Sequence, residues 1–184
     1  MSLDSPWPAL LASCRIGALV DMEDDKIPNK VGFSGHQGLP SGISDRIRSD
    51  LAERLSELLP VHGYTSLAEG SDQMFARLVT SLGGRFSVII PCHEYEATFR
   101  TPETLDSYRT LLSGAASAET LDFSGPSEQA FWTAGKRIVE LSDRLLAVWD
   151  GLPARGLGGT ADVVGYAKSV GKAVEVFWPS GATR

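Results

Sequence analysis

Apolar residues along this chain fall into two rhythms that take turns from Val31 onward. Short, nearly continuous apolar runs suit strands buried on both faces, and longer segments with apolar residues three and four apart suit helices packed by one face. Strands are predicted at Val31 to Ser34, Thr65 to Ala68, Phe86 to Ile90, Leu145 to Trp149 and Ala173 to Trp178. Between them, Ile43, Ile47, Leu51, Leu55 and Leu58 mark a helix over Ile43 to Leu59 that Pro60 ends, and Ser71 to Leu82 is a second, stopped by Gly83 and Gly84. Leu105 to Ser113 and Ser127 to Leu141 read as further helices on either side of a polar loop from Gly114 to Pro126, and Thr160 opens the last helix. His93 to Thr104 has no clear period. Ahead of the alternation, Leu10, Leu11, Cys14, Ala18 and Leu19 form one face of a helix over Trp7 to Val20. Residues 1–29 are therefore expected to be a helical appendage that packs on the domain or on a second subunit.

Strands separated by helices imply a parallel sheet covered on both faces, an α/β, Rossmann-like three-layer domain over residues 30–184. Right-handed crossovers leave few arrangements, and five strands in the order 3-2-1-4-5 are expected. The strand order then reverses between strands one and four, so the loops after strands one, two and four should converge on one crevice.

The chemistry is concentrated in those loops. Residues 142–178 read as strand, glycine-rich turn, helix and strand, with Gly156, Gly158 and Gly159 just before Thr160. A helix that starts after the carboxyl end of a parallel strand points its unpaired N–H groups and the positive end of its dipole at the crevice, which suits phosphate. The turn matches neither the dinucleotide fingerprint nor the Walker pattern, so glycine as a plain flexible turn stays open beside phosphate binding. After strand one, GFSGHQGLPSG offers Ser34, Gly35 and His36, the histidine as a phosphate donor or proton carrier. After strand two, LAEGSDQ offers Glu69, Gly70, Ser71 and Asp72. Capping of the helix accounts for Ser71 or Asp72 without any ligand, whereas a carboxylate at Glu69 needs water, a partner or a ligand hydroxyl. After strand four, Asp150 and Gly151 leave the sheet, and Asp162 sits in the first turn of the last helix, where the dipole favours it regardless of function. Together, Glu69, Asp72, Asp150 and Asp162 could supply a carboxylate pair for glycosidic-bond hydrolysis.

Composition narrows the partners. The 184 residues carry a net charge of −6 and no Lys/Arg cluster dense enough to follow a nucleic-acid backbone or an anionic membrane. The expected partner is thus a nucleotide-like small molecule, with no nucleic acid and no membrane. Cys14 and Cys92 belong to no CxxC pair, and Cys92, His93, Glu94 and Glu96 lack a second group to complete a metal shell, so no metal and no cofactor is expected. No apolar run reaches membrane-spanning length and no signal peptide opens the chain, which points to the cytoplasm. Trp132, Trp149 and Trp178 fall in helix or strand positions and read as core.

Three segments in order, GFSGH, AEGSD and SDRLLAVWDG followed by GGTADVV, resemble the SLOG superfamily, Rossmann-like domains related to DNA-processing protein A and the LOG-type phosphoribohydrolases. The resemblance spans roughly Lys30 to Pro179. It implies a nucleotide or NAD-derived ligand, with Gly35, Gly70, Gly158, Gly159 and Thr160 at phosphate and Asp72 and Asp150 near the sugar, and it makes a homodimer a reasonable expectation. The hydrolases carry a proline before the paired glycines and a glutamate two residues after the threonine, where this chain has Leu157 and Asp162. The resemblance therefore favours the nucleotide-sensing branch over an N-glycosidase that would use Glu69 and Asp162. An interaction module with a vestigial crevice is the third reading.

Overall fold

The computed structural model describes residues 28–154 and 156–182, so nearly all of the expected N-terminal appendage lies outside the described residues. In chain order the elements are β1 (Asn29–Gly35), α1 (Ser41–Glu57), β2 (Val61–Thr65), α2 (Ser71–Ser81), β3 (Arg85–Ile90), a 3-10 turn (Tyr95–Thr98), α3 (Pro102–Ser113), β4 (Ser117–Thr120), α4 (Glu128–Leu141), β5 (Arg144–Val148), α5 (Thr160–Ser169) and β6 (Ala173–Val176). All strand pairs are parallel, in the order β4-β3-β2-β1-β5-β6.

The expected five-stranded order is corrected by a sixth strand at the edge. β4 lies inside the stretch predicted as a polar loop, where Ser87 to Ile90 of β3 register with Ser117 to Thr120. Its sequence, SAET, is largely exposed and has no apolar run, so only tertiary pairing with β3 makes it a strand. β2 is also earlier than predicted, at Val61–Thr65 rather than Thr65 to Ala68. It buries Val61, Gly63 and Thr65 in alternation. Gly63 faces the Phe75 ring, which would lie 2.8 Å from a Cβ there, so the strand is one whose apolar payload is supplied by its neighbour.

Period two in the strands sorts the core into layers. Val31, Phe33, Leu146 and Val148 face the larger core with Ile47, Leu51 and Leu55 of α1, Phe75 and Val79 of α2, and Tyr108 of α3. Phe33 and Phe75 stack with ring centroids 4.5 Å apart. Leu145 and Ala147 face the other way, onto Val139 of α4 and Val163, Val164 and Ala167 of α5. Helix starts are locally encoded, since the Thr101 side chain accepts from the Thr104 N–H with Pro102 in the first turn, and the Ser127 hydroxyl accepts from the Ala130 N–H. At the far edge Arg54 of α1 grips Glu175 of β6 through two bonds of 2.7 and 2.8 Å, which holds the Glu175 carboxyl below its ordinary range. The strand order reverses between β1 and β5, and the site lies at the carboxyl ends of these strands.

Candidate functional site

A cleft of about 390 Å³ opens where β1, β2 and β5 end. Its floor is made by the β1 loop with Ser34, Gly35 and His36, and by Ser66, Ala68 and Asp72 of the β2–α2 turn. Gly158, Gly159 and Thr160 of the glycine-rich loop line it as well, as do Tyr95 and Thr98 of the 3-10 turn. Phe131, Gly135 and Ile138 of α4 add an apolar surface, and Leu152, Pro153 and Leu157 form the rim.

The floor is organised around Asp72. This residue is 5% exposed, and its Oδ2 accepts from the Thr65 hydroxyl at 2.9 Å. The backbone N–H groups of Ser66, Ala68 and Gly35 also bond to it. Leu67 makes that convergence feasible by adopting φ +56, a left-handed conformation uncommon outside glycine, with its own N–H on the Thr65 hydroxyl oxygen at 3.1 Å. The result is a nest of N–H donors filled by a side chain of the protein itself. Burial raises the Asp72 carboxyl to about 7, and the hydroxyl and three amides oppose that rise. The buried Tyr95 hydroxyl is pushed well above its ordinary value, chiefly by burial and next by the Asp72 charge.

His36 and Asp150 lock the end of β1 to the end of β5. His36 Nε2 lies 3.1 Å from Asp150 Oδ1 and 3.2 Å from the Asp150 N–H, with side chains 11% and 3% exposed. Asp150 Oδ1 also accepts from the Leu152 N–H at 3.0 Å, which bends the chain into the rim, and the Trp149 indole donates to the Leu152 carbonyl at 2.7 Å. The His36 ring meets the Trp178 ring edge-on, with centroids 5.5 Å apart.

Several predicted residues bind the fold together instead of lining the cleft. At Gly70, φ is +93 and a Cβ would collide with the Gln37 carbonyl, so this glycine admits the β1 loop against α2. The Ser71 hydroxyl donates to the His36 carbonyl at 2.7 Å. The Asp162 carboxylate accepts from the Gly158 N–H at 2.9 Å and so fastens the glycine-rich loop to α5. Glu69, Asp150, Gly151 and Asp162 are not among the lining residues, whereas Ser34, Gly35, His36, Asp72, Gly158, Gly159 and Thr160 are. Gly158, at φ +86, lies so close to α4 that a Cβ would sit 2.5 Å from the Trp132 nitrogen. Gly159 precedes α5, and a Cβ on it would approach the Ala154 Cβ to 2.9 Å.

Sequence reasoning missed Glu128, Phe131, Tyr95 and Trp149 as cleft residues. Trp149 was expected in the core and is half-buried at the rim. Among the described residues no group of three or more His, Cys, Asp or Glu gathers where an ion could be held. No helix among them is long and apolar enough to cross a membrane.

This arrangement is a Rossmann-like α/β fold shared with several solved structures. Over 81% of this chain and 65% of the other, it is similar to DNA processing protein A from Helicobacter pylori, described for its single-stranded DNA binding mode, with a TM-score of 0.61 and 16% identity. The structural-genomics protein TM1055 matches 79% of this chain and 72% of its own at a TM-score of 0.53 and 19% identity. A molybdenum cofactor binding protein from Rippkaea orientalis matches 82% of this chain and 77% of its own at a TM-score of 0.54 and 14% identity. No family model and no curated protein matches the chain.

Proposed function

We propose that this domain binds a nucleotide or nucleotide-derived small ligand in the cleft between the ends of β1 and β5, with its phosphate at the first turn of α5. The observation that carries this reading is the placement of Gly158, Gly159 and Thr160 on the cleft wall at the start of a ten-residue helix. The N–H groups of that first turn and the helix dipole both favour an anion there. The cleft volume of about 390 Å³ falls within the range of small-molecule sites. The Thr160 hydroxyl adds a donor, and Phe131, Ile138 and Trp149 offer apolar surface for a base.

Retention of the ligand is favoured over cleavage. An N-glycosidase was expected to use Glu69 and Asp162, yet neither lines the cleft, and the Asp162 carboxylate is engaged by the Gly158 N–H. A small ligand is also favoured over a nucleic-acid strand by the net charge of −6. The molybdenum cofactor named for the Rippkaea protein is likewise a small ligand held by this fold.

Titration calorimetry with AMP, ADP, ADP-ribose, NAD and a short single-stranded oligonucleotide tests the proposal, with chromatography of each mixture for free base. Saturable binding of at least one of the four nucleotide ligands without released base is the expected result. Binding of the oligonucleotide alone overturns the small-ligand reading, and released base overturns retention.

A further inference from the structure

Glu128 is the first residue of α4, where the helix dipole accounts for an acidic side chain but not for where that side chain goes. Its Oε1 fills the space that a side chain on Gly156 would need, and its main-chain oxygen lies 3.0 Å from where a Cβ on Gly158 would be. The carboxylate thus lies against the glycine-rich loop that leads into α5, and Glu128 lines the cleft. Gly158 is required for the loop's approach to the α4 backbone, whereas a Cβ at Gly156 would meet only the Glu128 side chain and displace its carboxylate. The residue is exposed, so its charge is hydrated until a ligand displaces that water.

Resting on the nucleotide-binding reading, we infer that Glu128 is a specificity determinant that selects a ligand with a single phosphate. The carboxylate accepts hydrogen bonds from donors, such as a ribose diol or an exocyclic amine, and repels a second anionic group next to the first. Two seats of opposite sign in one cleft fit a ligand that is anionic at one end and donor-rich at the other. A diphosphate brings like charges together in a partly dehydrated site, where screening by water is reduced.

Calorimetry of AMP and ADP with the wild-type protein and the Glu128→Gln and Glu128→Lys variants tests this. The wild type should prefer AMP. Glu128→Gln should tighten ADP by about tenfold while changing AMP by less than about threefold, and Glu128→Lys should reverse the preference. The wild-type preference should also shrink as salt rises from about 0.05 M to about 0.5 M. Thermal melts should fall only slightly, and further for Glu128→Lys than for Glu128→Gln, because the exposed side chain contributes little beyond its interaction with the α4 dipole. An ADP-to-AMP affinity ratio that is the same in all three proteins removes the role of Glu128 and leaves nucleotide binding standing. If neither nucleotide binds any of the three, nucleotide binding fails and the inference falls with it.

Discussion

Asp72 shows how one residue can be both the keystone of a loop and a source of pH dependence. Its carboxyl titrates near 7 in the folded chain against about 4 in the unfolded one. Between those values the folded chain holds a proton that the unfolded chain has released. The contribution to stability is therefore full at acid pH and declines as pH rises to about 7. The melting temperature of the wild type minus that of Asp72→Asn should fall steadily from about pH 4 to about pH 7 and then level off, as followed by circular dichroism. A difference that stays constant across that window contradicts the assignment. At this scale the sequence was informative about type and less so about task. AEGSD marks a glycine and an acid where a ligand would be, but Gly70 answers to the Gln37 carbonyl and Asp72 to four donors of the protein. Neither the collision nor the nest is visible without the backbone, because the partners are supplied by segments about 35 residues earlier or by a left-handed turn at Leu67.

Among the elements, the glycine-rich loop and α5 act as one unit. Asp162 holds the Gly158 N–H, and Gly158 in turn abuts α4. Replacing Asp162 by Ala should cost about 1 to 2 kcal/mol, the usual worth of a hydrogen bond to a charged group, read as a lower denaturant midpoint with an unchanged slope. Mononucleotide affinity should not weaken, since a negative charge leaves the phosphate site. Lost affinity at unchanged stability would show that Asp162 meets the ligand directly. The elements that the sequence predicts well are those whose apolar period is intact, such as α1 with Ile47, Leu51 and Leu55, and β5 with its continuous apolar run. β4 was illegible because its four residues carry no apolar face, and β2 was shifted because Gly63 and Thr65 occupy buried positions that a hydrophobic pattern leaves blank. Edge pairing and neighbour-filled glycines are tertiary effects.

For the whole molecule, the reversal of strand order between β1 and β5 gathers loops that are more than one hundred residues apart, as the His36 and Asp150 pair shows with a separation of 114. The crevice follows from topology, so its place was legible from the alternation of strands and helices. The contribution of α4 was not, because Glu128 and Phe131 come from a helix whose close approach to the glycine-rich loop and to α5 depends on Gly158 and on Gly135, where a Cβ would collide with Val163. On the proposed reading, the first turn of α5 seats a phosphate. This is tested most directly by calorimetry of AMP and adenosine against the wild type and Gly159→Asp, with Gly159→Ala as the control for size. The wild type should bind AMP at least about tenfold more tightly than adenosine. Gly159→Asp, which adds a carboxylate at the start of α5, should lower AMP to the level of adenosine, whereas Gly159→Ala, which crowds Ala154 to the same degree without the charge, should lose less of the difference. AMP binding that survives Gly159→Asp unchanged contradicts the account.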